Sequence, residues 1–126
     1  IDDSLSWIPA RISWIFLSLS AFLLPGFSGL GALKVGLRDY SKLSSPNAGW
    51  CEASAAGALK IKLCGPIWRE GRLAHDFWLG DPFDREGATF KDVNRMNKLA
   101  LGSSLLGVLF FGLLINIISF IPFLEL

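Results

Sequence analysis

Two long stretches without a charged side chain organise the sequence: Ile12 to Leu33, 22 residues, and Leu99 to Leu124, 26 residues. As helices they would reach about 33 Å and about 39 Å, against about 30 Å of bilayer hydrocarbon. The second reads as an uninterrupted membrane helix. Its small residues Gly102, Ser103, Ser104, Gly107 and Gly112 gather in the first half, where a neighbouring helix can come close. Asn116 is its one strongly polar side chain, suited to a helix–helix hydrogen bond. The first stretch is interrupted by Pro25-Gly26. Ile12 to Leu24 alone is 13 residues, about 20 Å, too short to cross. It is therefore either a Pro-kinked span running on to Leu33 or a half-helix that turns back, and broken backbone at membrane depth must be covered by protein.

Between the apolar stretches the pattern changes three times. Leu30 to about Lys42 continues helically, with Lys34, Arg38 and Lys42 on one i, i+4 face that could meet anionic headgroups. Ser45 is a good N-cap and Pro46 fits the first helical position, so a helix is expected from there to Leu63, stopped by Cys64-Gly65-Pro66. Its Gly49, Ala53 and Gly57 form a four-residue ridge that invites close packing. Ile67 to Gly87 reads as a long loop in which Trp68, Phe77, Trp78 and Phe83 alternate with charged residues. Such a loop is either functional or an aromatic anchor at the membrane interface. Thr89-x-x-Asp92 is a capping-box variant opening a helix that runs into the last span. The expectation is one all-α membrane domain over 1–126: membrane segments at about 12–33 and 99–124 flanking a polar segment 34–98.

Composition and charge sharpen this picture. Of 126 residues, 52% are apolar and only 18% charged, below the quarter usual for soluble domains. A soluble monomer is disfavoured, and disorder is excluded by high hydrophobicity with a net charge of only +1. Twelve Lys+Arg against eleven Asp+Glu supply no nucleic-acid footprint. Asp2 and Asp3 stand where a signal peptide would be basic. Eleven of the twelve Lys/Arg lie in Lys34–Lys98, which the positive-inside rule assigns to the cytoplasm. A first residue of Ile rather than Met suggests a processed product or a piece of a longer chain.

Familiar catalytic signatures are absent. Neither a P-loop nor a nucleophile elbow occurs, and one histidine with two distant cysteines makes no zinc cluster. With Cys51 and Cys64 on one helix, 13 residues would hold them about 20 Å apart, beyond disulfide reach. The positive end of the Ser45 helix favours an anion, either the Glu52 carboxylate or a bound phosphate near Asn47.

In this order, IDDSLSWIPAR (Ile1–Arg11), Arg38-Asp39, SPNAGWCEASAAGAL (Ser45–Leu59) and Gly65-Pro66 make the sequence similar to the CobD/CbiB membrane proteins, the adenosylcobinamide-phosphate synthases of cobalamin biosynthesis. The similarity runs from Ile1 to about Asp92 and covers the C-terminal part of the longer family members. It implies a multi-pass inner-membrane enzyme. Using ATP and Mg²⁺, it would join the propionate of a corrinoid, adenosylcobyric acid, to aminopropanol or its phosphate through an amide. On the same basis Asp2 and Asp3 are candidates for metal or amine, Arg11 and Arg38 for phosphate or propionate, and Asn47 with Glu52 for the helix-start site. Glu52 is a further metal candidate, and Asp39, Trp50, Gly80 and Asp81 complete the substrate-binding set. Ser6 stands where the family usually has Asn, and Cys51 where it usually has Pro. A spanning 12–33 segment would put Asp2 and Asp3 on the face opposite Asn47, whereas a segment that turns back would put them on the same one. The alternative function is a non-catalytic relative of the AmpE type, or a truncated remnant.

Overall fold

A computed structural model describes residues 2–43 and 45–125; the side chains of Asp2, Asp3, Pro46 and His75 lie outside what it describes. In chain order come α1 (Asp2–Leu5), α2 (Trp7–Leu23), α3 (Gly29–Asp39) with a 3₁₀ turn at Tyr40–Lys42, and α4 (Pro46–Leu59). Five short strands follow: β1 (Ile61–Cys64), β2 (Ile67–Arg69), β3 (Arg72–His75), β4 (Trp78–Leu79) and β5 (Arg85–Glu86). A single helix, α5 (Phe90–Leu124), completes the chain.

The 12–33 segment does not run as one kinked helix. α2 stops at Leu23 ahead of Pro25, because the residue before proline is pushed out of helical geometry. Ser28 then caps α3 by accepting the Gly31 N–H at 3.0 Å. The two helices pack antiparallel: the Phe22 ring lies against Gly29, and Trp14 lies against Gly36 while its indole N–H donates to the Ala32 carbonyl at 3.3 Å. Of the two sequence alternatives, the chain adopts the one that turns back.

α4 begins at Ser45 and Pro46 as the sequence indicates, and its small-residue ridge packs as expected. Gly57 meets the Gly31 carbonyl of α3, and Gly49 meets the Tyr40 carbonyl, so any side chain at either position would collide with backbone. The helix ends at Leu59 rather than Leu63. Lys60 takes a left-handed conformation (φ 56°), and Ile61 to Cys64 leave as an extended strand.

The segment read as a loop carries strands, so the protein is mostly helical but not all-α. β1 pairs antiparallel with β4 (Leu63 opposite Leu79) and parallel with β5 (Ile61 opposite Arg85). β2 and β3 form a separate hairpin turned at Glu70 and Gly71, both at positive φ (53° and 73°). Paired positive φ values are what a two-residue turn matching strand twist requires. Alternation over two to four residues is too short to stand out against a helical background, and it was missed for that reason.

α5 opens on the expected cap, with the Asp92 carboxylate accepting the Thr89 N–H at 2.8 Å. Its first half lies along α2: Ser20 Oγ donates to the Leu99 carbonyl at 3.2 Å, and Phe16 meets the rings of Phe110 and Phe111. Arg95 ties it to the bundle by donating to the carbonyls of Gly26 (2.6 Å) and Leu59 (3.3 Å), which secures the α2–α3 turn and the C-terminal end of α4. Within α5, Leu99 to Leu124 is long and apolar enough to cross a membrane. The shorter α2 has 17 residues, about 25 Å.

Candidate functional site

Because α2 and α3 fold back on each other, the start of α2, the end of α3 and the start of α4 meet at one end of the bundle. On α2, Ser6, Pro9, Ala10 and Ser13 share one face by their i, i+3, i+4, i+7 spacing. Together with Ser45, Asn47 and Ala48 they line an open cavity of about 430 Å³. Ser6 and Ser45 are both N-cap residues, and neither hydroxyl closes a cap bond onto its own helix. One positive helix end, that of α4, three hydroxyls and one amide thus border the same space, a combination suited to phosphate or carboxylate oxygens.

Arg11 follows Ala10 of the cavity wall in sequence without lining the cavity itself. Its guanidinium lies 3.7 Å from the Trp7 ring centre and 5.1 Å from that of Trp50, and it donates to the Trp7 carbonyl at 2.9 Å. Trp50, 4% exposed, stacks on Tyr40 at 4.1 Å and 12° and leans on Trp14 at 4.8 Å. Trp50 therefore acts as the aromatic floor that orients Arg11 and joins the three helices, and its ring faces are taken up by protein. Trp14, Ser13 and Tyr40 escaped sequence reading; the seven-residue spacing of Trp7 and Trp14 was the available clue to a shared face.

Arg38, Asp39, Gly80 and Asp81 form a second group. Asp39 is fully buried and receives Arg38 Nε and Nη2, each at 2.8 Å, the Gly80 N–H at 3.0 Å and Lys42 Nζ at 3.2 Å. Arg38 also donates to the Gly80 carbonyl at 2.7 Å and to Asp81 at 2.9 Å, while Lys42 donates to the Trp78 carbonyl at 2.9 Å. Burial raises the Asp39 carboxyl pKa, but Arg38, the Gly80 N–H and Lys42 outweigh it and hold the group below its ordinary value. The Asp39 carboxylate is saturated by protein donors. In this geometry Arg38, Asp39, Gly80 and Asp81 clasp the strand layer to the end of α3. Arg38 and Lys42 are committed to that clasp rather than to a headgroup-facing stripe.

Glu52 is separated from Asn47. It borders a different, largely apolar cavity of about 330 Å³ with Cys51, Ile61, Leu63, Met96 and Asn97. Asp92 also reaches this cavity, but its charge is taken by Arg85 and by Arg95 at 3.3 Å. Arg85 and the Thr89 N–H hold its carboxyl well below the usual carboxylate range. Of this network the sequence marks only the Thr89–Asp92 capping box; the arginine pairs carry no local signal. Cys51 and Cys64 are free thiols, as expected, although they sit on different elements rather than one helix. Burial pushes both thiols up.

Asp2 and Asp3 begin α1, next to the start of α2, while their carboxylates lie outside the described side chains. Among the described residues no three His, Cys, Asp or Glu side chains gather as a metal site, and the described wall of the Asn47 cavity holds no carboxylate. By themselves these residues do not fit Mg²⁺, which takes one or two carboxylates alongside phosphate oxygens.

The class defined so far is a helical, membrane-compatible module with an anion-suited cavity where three helix ends meet. The family model described as CobD/Cbib protein matches residues 1–100, and the chain belongs to that family. Cobalamin biosynthesis protein CobD of Yersinia enterocolitica is 41% identical over 113 residues, covering 90% of this chain and 35% of the relative. CobD of Citrobacter koseri is 40% identical, and cobalamin biosynthesis protein CbiB of Salmonella arizonae 39%, each over 111 residues, 88% of this chain and 34% of the relative. The chain thus spans about a third of the length of these relatives and corresponds to their C-terminal part. No solved structure matches it.

Proposed function

We propose that the chain is the C-terminal part of a cobalamin-biosynthesis enzyme of the inner membrane that forms an amide at the expense of ATP. A corrinoid propionate, that of adenosylcobyric acid, takes the γ-phosphoryl group of ATP onto a carboxylate oxygen as ADP leaves, giving an acyl phosphate. The neutral amine of aminopropanol, or of its phosphate, then attacks the acyl carbon: the C–N bond forms and the C–O bond to phosphate breaks. Phosphate leaves with the electron pair, and the amine nitrogen gives up its proton to the departing phosphate or to water. α5 provides a membrane span, and the basic segment 34–98 lies on the cytoplasmic side.

One observation carries this reading: residues of the Ile1–Arg11 and S-P-N-A-G-W motifs line one cavity at the start of α4, and Arg11 lies over Trp50 next to them. In this role Asn47, Ser6, Ser13 and Ser45 orient phosphate or propionate oxygens, and Arg11 offsets their charge. Both are contributions of electrostatic preorganisation. At about 430 Å³ the cavity admits the reacting group and not a whole corrinoid, whose bulk stays outside. Mg²⁺ belongs to the proposal with ATP and would neutralise phosphate charge. Because the described residues do not form its site, no step is assigned to it.

The test is growth dependent on cobyric acid in a strain whose only copy carries Asn47→Ala, with an immunoblot of the membrane fraction. The reading expects loss of growth at unchanged abundance. Growth equal to wild type removes this cavity from the reaction.

A further inference from the structure

The outward side of α2 carries a pattern that the proposed reaction leaves unused. Ile8, Ile12, Ile15, Leu19 and Phe22 recur there at alternating intervals of four and three residues. The opposite side, with Ala10, Leu17, Ser18, Ser20 and Ala21, is buried against the rest of the bundle. Ile12 is half-buried, while Ile8, Ile15, Leu19 and Phe22 remain 45% to 60% exposed. A four-and-three repeat of large apolar residues is the seam by which one helix packs knobs-into-holes on another. α5 shows what a lipid-facing surface looks like instead. Its exposed apolar residues between Val108 and Ile118 run round the whole helix. On α2 they keep to one stripe, apart from Trp7 and Leu23 at its two ends. Lipid imposes no such register, and α2, about 25 Å long, is shorter than the hydrocarbon it would have to match.

The seam also has a flank. Ile12, Ile15, Phe16 and Leu19 of α2, with Phe110 and Phe111 of α5, line a groove of about 340 Å³. A helix laid on the seam therefore seats in the angle between α2 and α5. The family's longer chains contain a source for it. This chain corresponds to the C-terminal part of the Yersinia enterocolitica relative and covers 35% of it, so most of that relative's length precedes the matched region. The preceding part joins the fold at α1, immediately before α2. Helices that follow one another through short connections pack side by side, which makes the α2 seam the first surface that such a helix meets.

We propose that the Ile8–Ile12–Ile15–Leu19–Phe22 seam is the docking face for a helix from the part of CobD/CbiB proteins that precedes the matched region. The proposal stands on the family match and not on the reaction. The test expresses this chain in bacterial membranes together with the preceding part of Yersinia enterocolitica CobD as a separate, tagged polypeptide. Ile15 or Leu19 is replaced by the photo-crosslinker p-benzoylphenylalanine, with Phe83, fully exposed between β4 and β5, as the control position. The expected result is a light-driven adduct of the two polypeptides from positions 15 and 19 and none from 83. Recovery of the tagged polypeptide with this chain should also fall about tenfold or more in Ile15→Ala/Leu19→Ala. Both side chains are about half exposed, so the double variant keeps the fold of this chain, which circular dichroism checks. An adduct at twice the mass of this chain makes the seam a contact between copies, and a phospholipid adduct makes it lipid-facing; either overturns the proposal. So does the absence of any adduct with the CobD polypeptide when an immunoblot shows both in the membrane.

Discussion

Two polar clusters lie near the same end of the helical bundle and use their groups in opposite ways. In the Arg38–Asp39–Gly80–Asp81 clasp the central carboxylate is fully buried and its donors are all protein groups. In the Asn47 cavity two N-cap serines leave their caps unclosed, around a space open to solvent. All of these residues belong to motifs that suggest function when read as sequence. The difference teaches that such motifs divide into groups buried inside the fold and groups that border open space, and that solvent access separates them.

The comparison breaks most visibly at Asp39. Asp39→Ala leaves Arg38 and Lys42 opposed across an empty site and strands the Gly80 N–H. Removing one partner of a fully buried pair costs about 3–5 kcal/mol. With Arg38 47% exposed, solvent screening reduces the expectation to about 2–3 kcal/mol. The readout is a large drop in melting temperature and in membrane abundance. Asn47→Ala is the converse case: stability near wild type, with a rate loss of about 10²–10³. Should Asp39→Ala prove stable but inactive, or Asn47→Ala unstable, the division would be wrong.

A smaller effect concerns pH. Asp39 and Asp92 both have lowered carboxyl pKa values in the folded protein. A lowered carboxyl contributes stability that is present above its unfolded value, about 3.9, and is lost as pH falls through the folded value. Thermal stability should therefore fall below about pH 4 in the wild type. In Asp92→Asn that acid limb should be flatter, at a neutral-pH cost of about 1 kcal/mol because Arg85 is half exposed. An acid limb unchanged by the substitution would contradict the assignment.

Glu52→Gln sharpens the comparison with the smallest expected change. Glu52 borders a separate apolar cavity. Its neutralisation should therefore slow the reaction far less than Asn47→Ala, measured as kcat on the same membranes. An equal loss would mean that both cavities meet one substrate.

Much of the helical frame was legible because its signals are local. Ser45 and Pro46 start α4, Thr89 and Asp92 start α5, and Gly49 and Gly57 mark where α4 presses on neighbouring backbone. The failures have a common cause in long-range pairing. Ile61 to Cys64 reads as more helix until Lys60 turns left-handed and β4 and β5 supply partners 14 to 24 residues away. Arg38 and Asp39 read as ligand contacts because Gly80 and Asp81, 41 to 43 residues on, give no local sign that they close over them. The Pro25-Gly26 break was visible, but the direction taken after it was set by Trp14 and Phe22 finding glycines on α3.

That turn brings the two motifs together, and cross-linking tests it most directly. Ser6→Cys and Ala48→Cys, combined with Cys51→Ser and Cys64→Ser, place two thiols on the wall of one cavity. A short bifunctional thiol reagent applied to native membranes should join them within one chain, seen by mass spectrometry as a single intramolecular bridge. A Pro-kinked span would hold the two positions about 30 Å apart on opposite membrane faces. Efficient single-thiol labelling at both sites with no bridge would contradict the account.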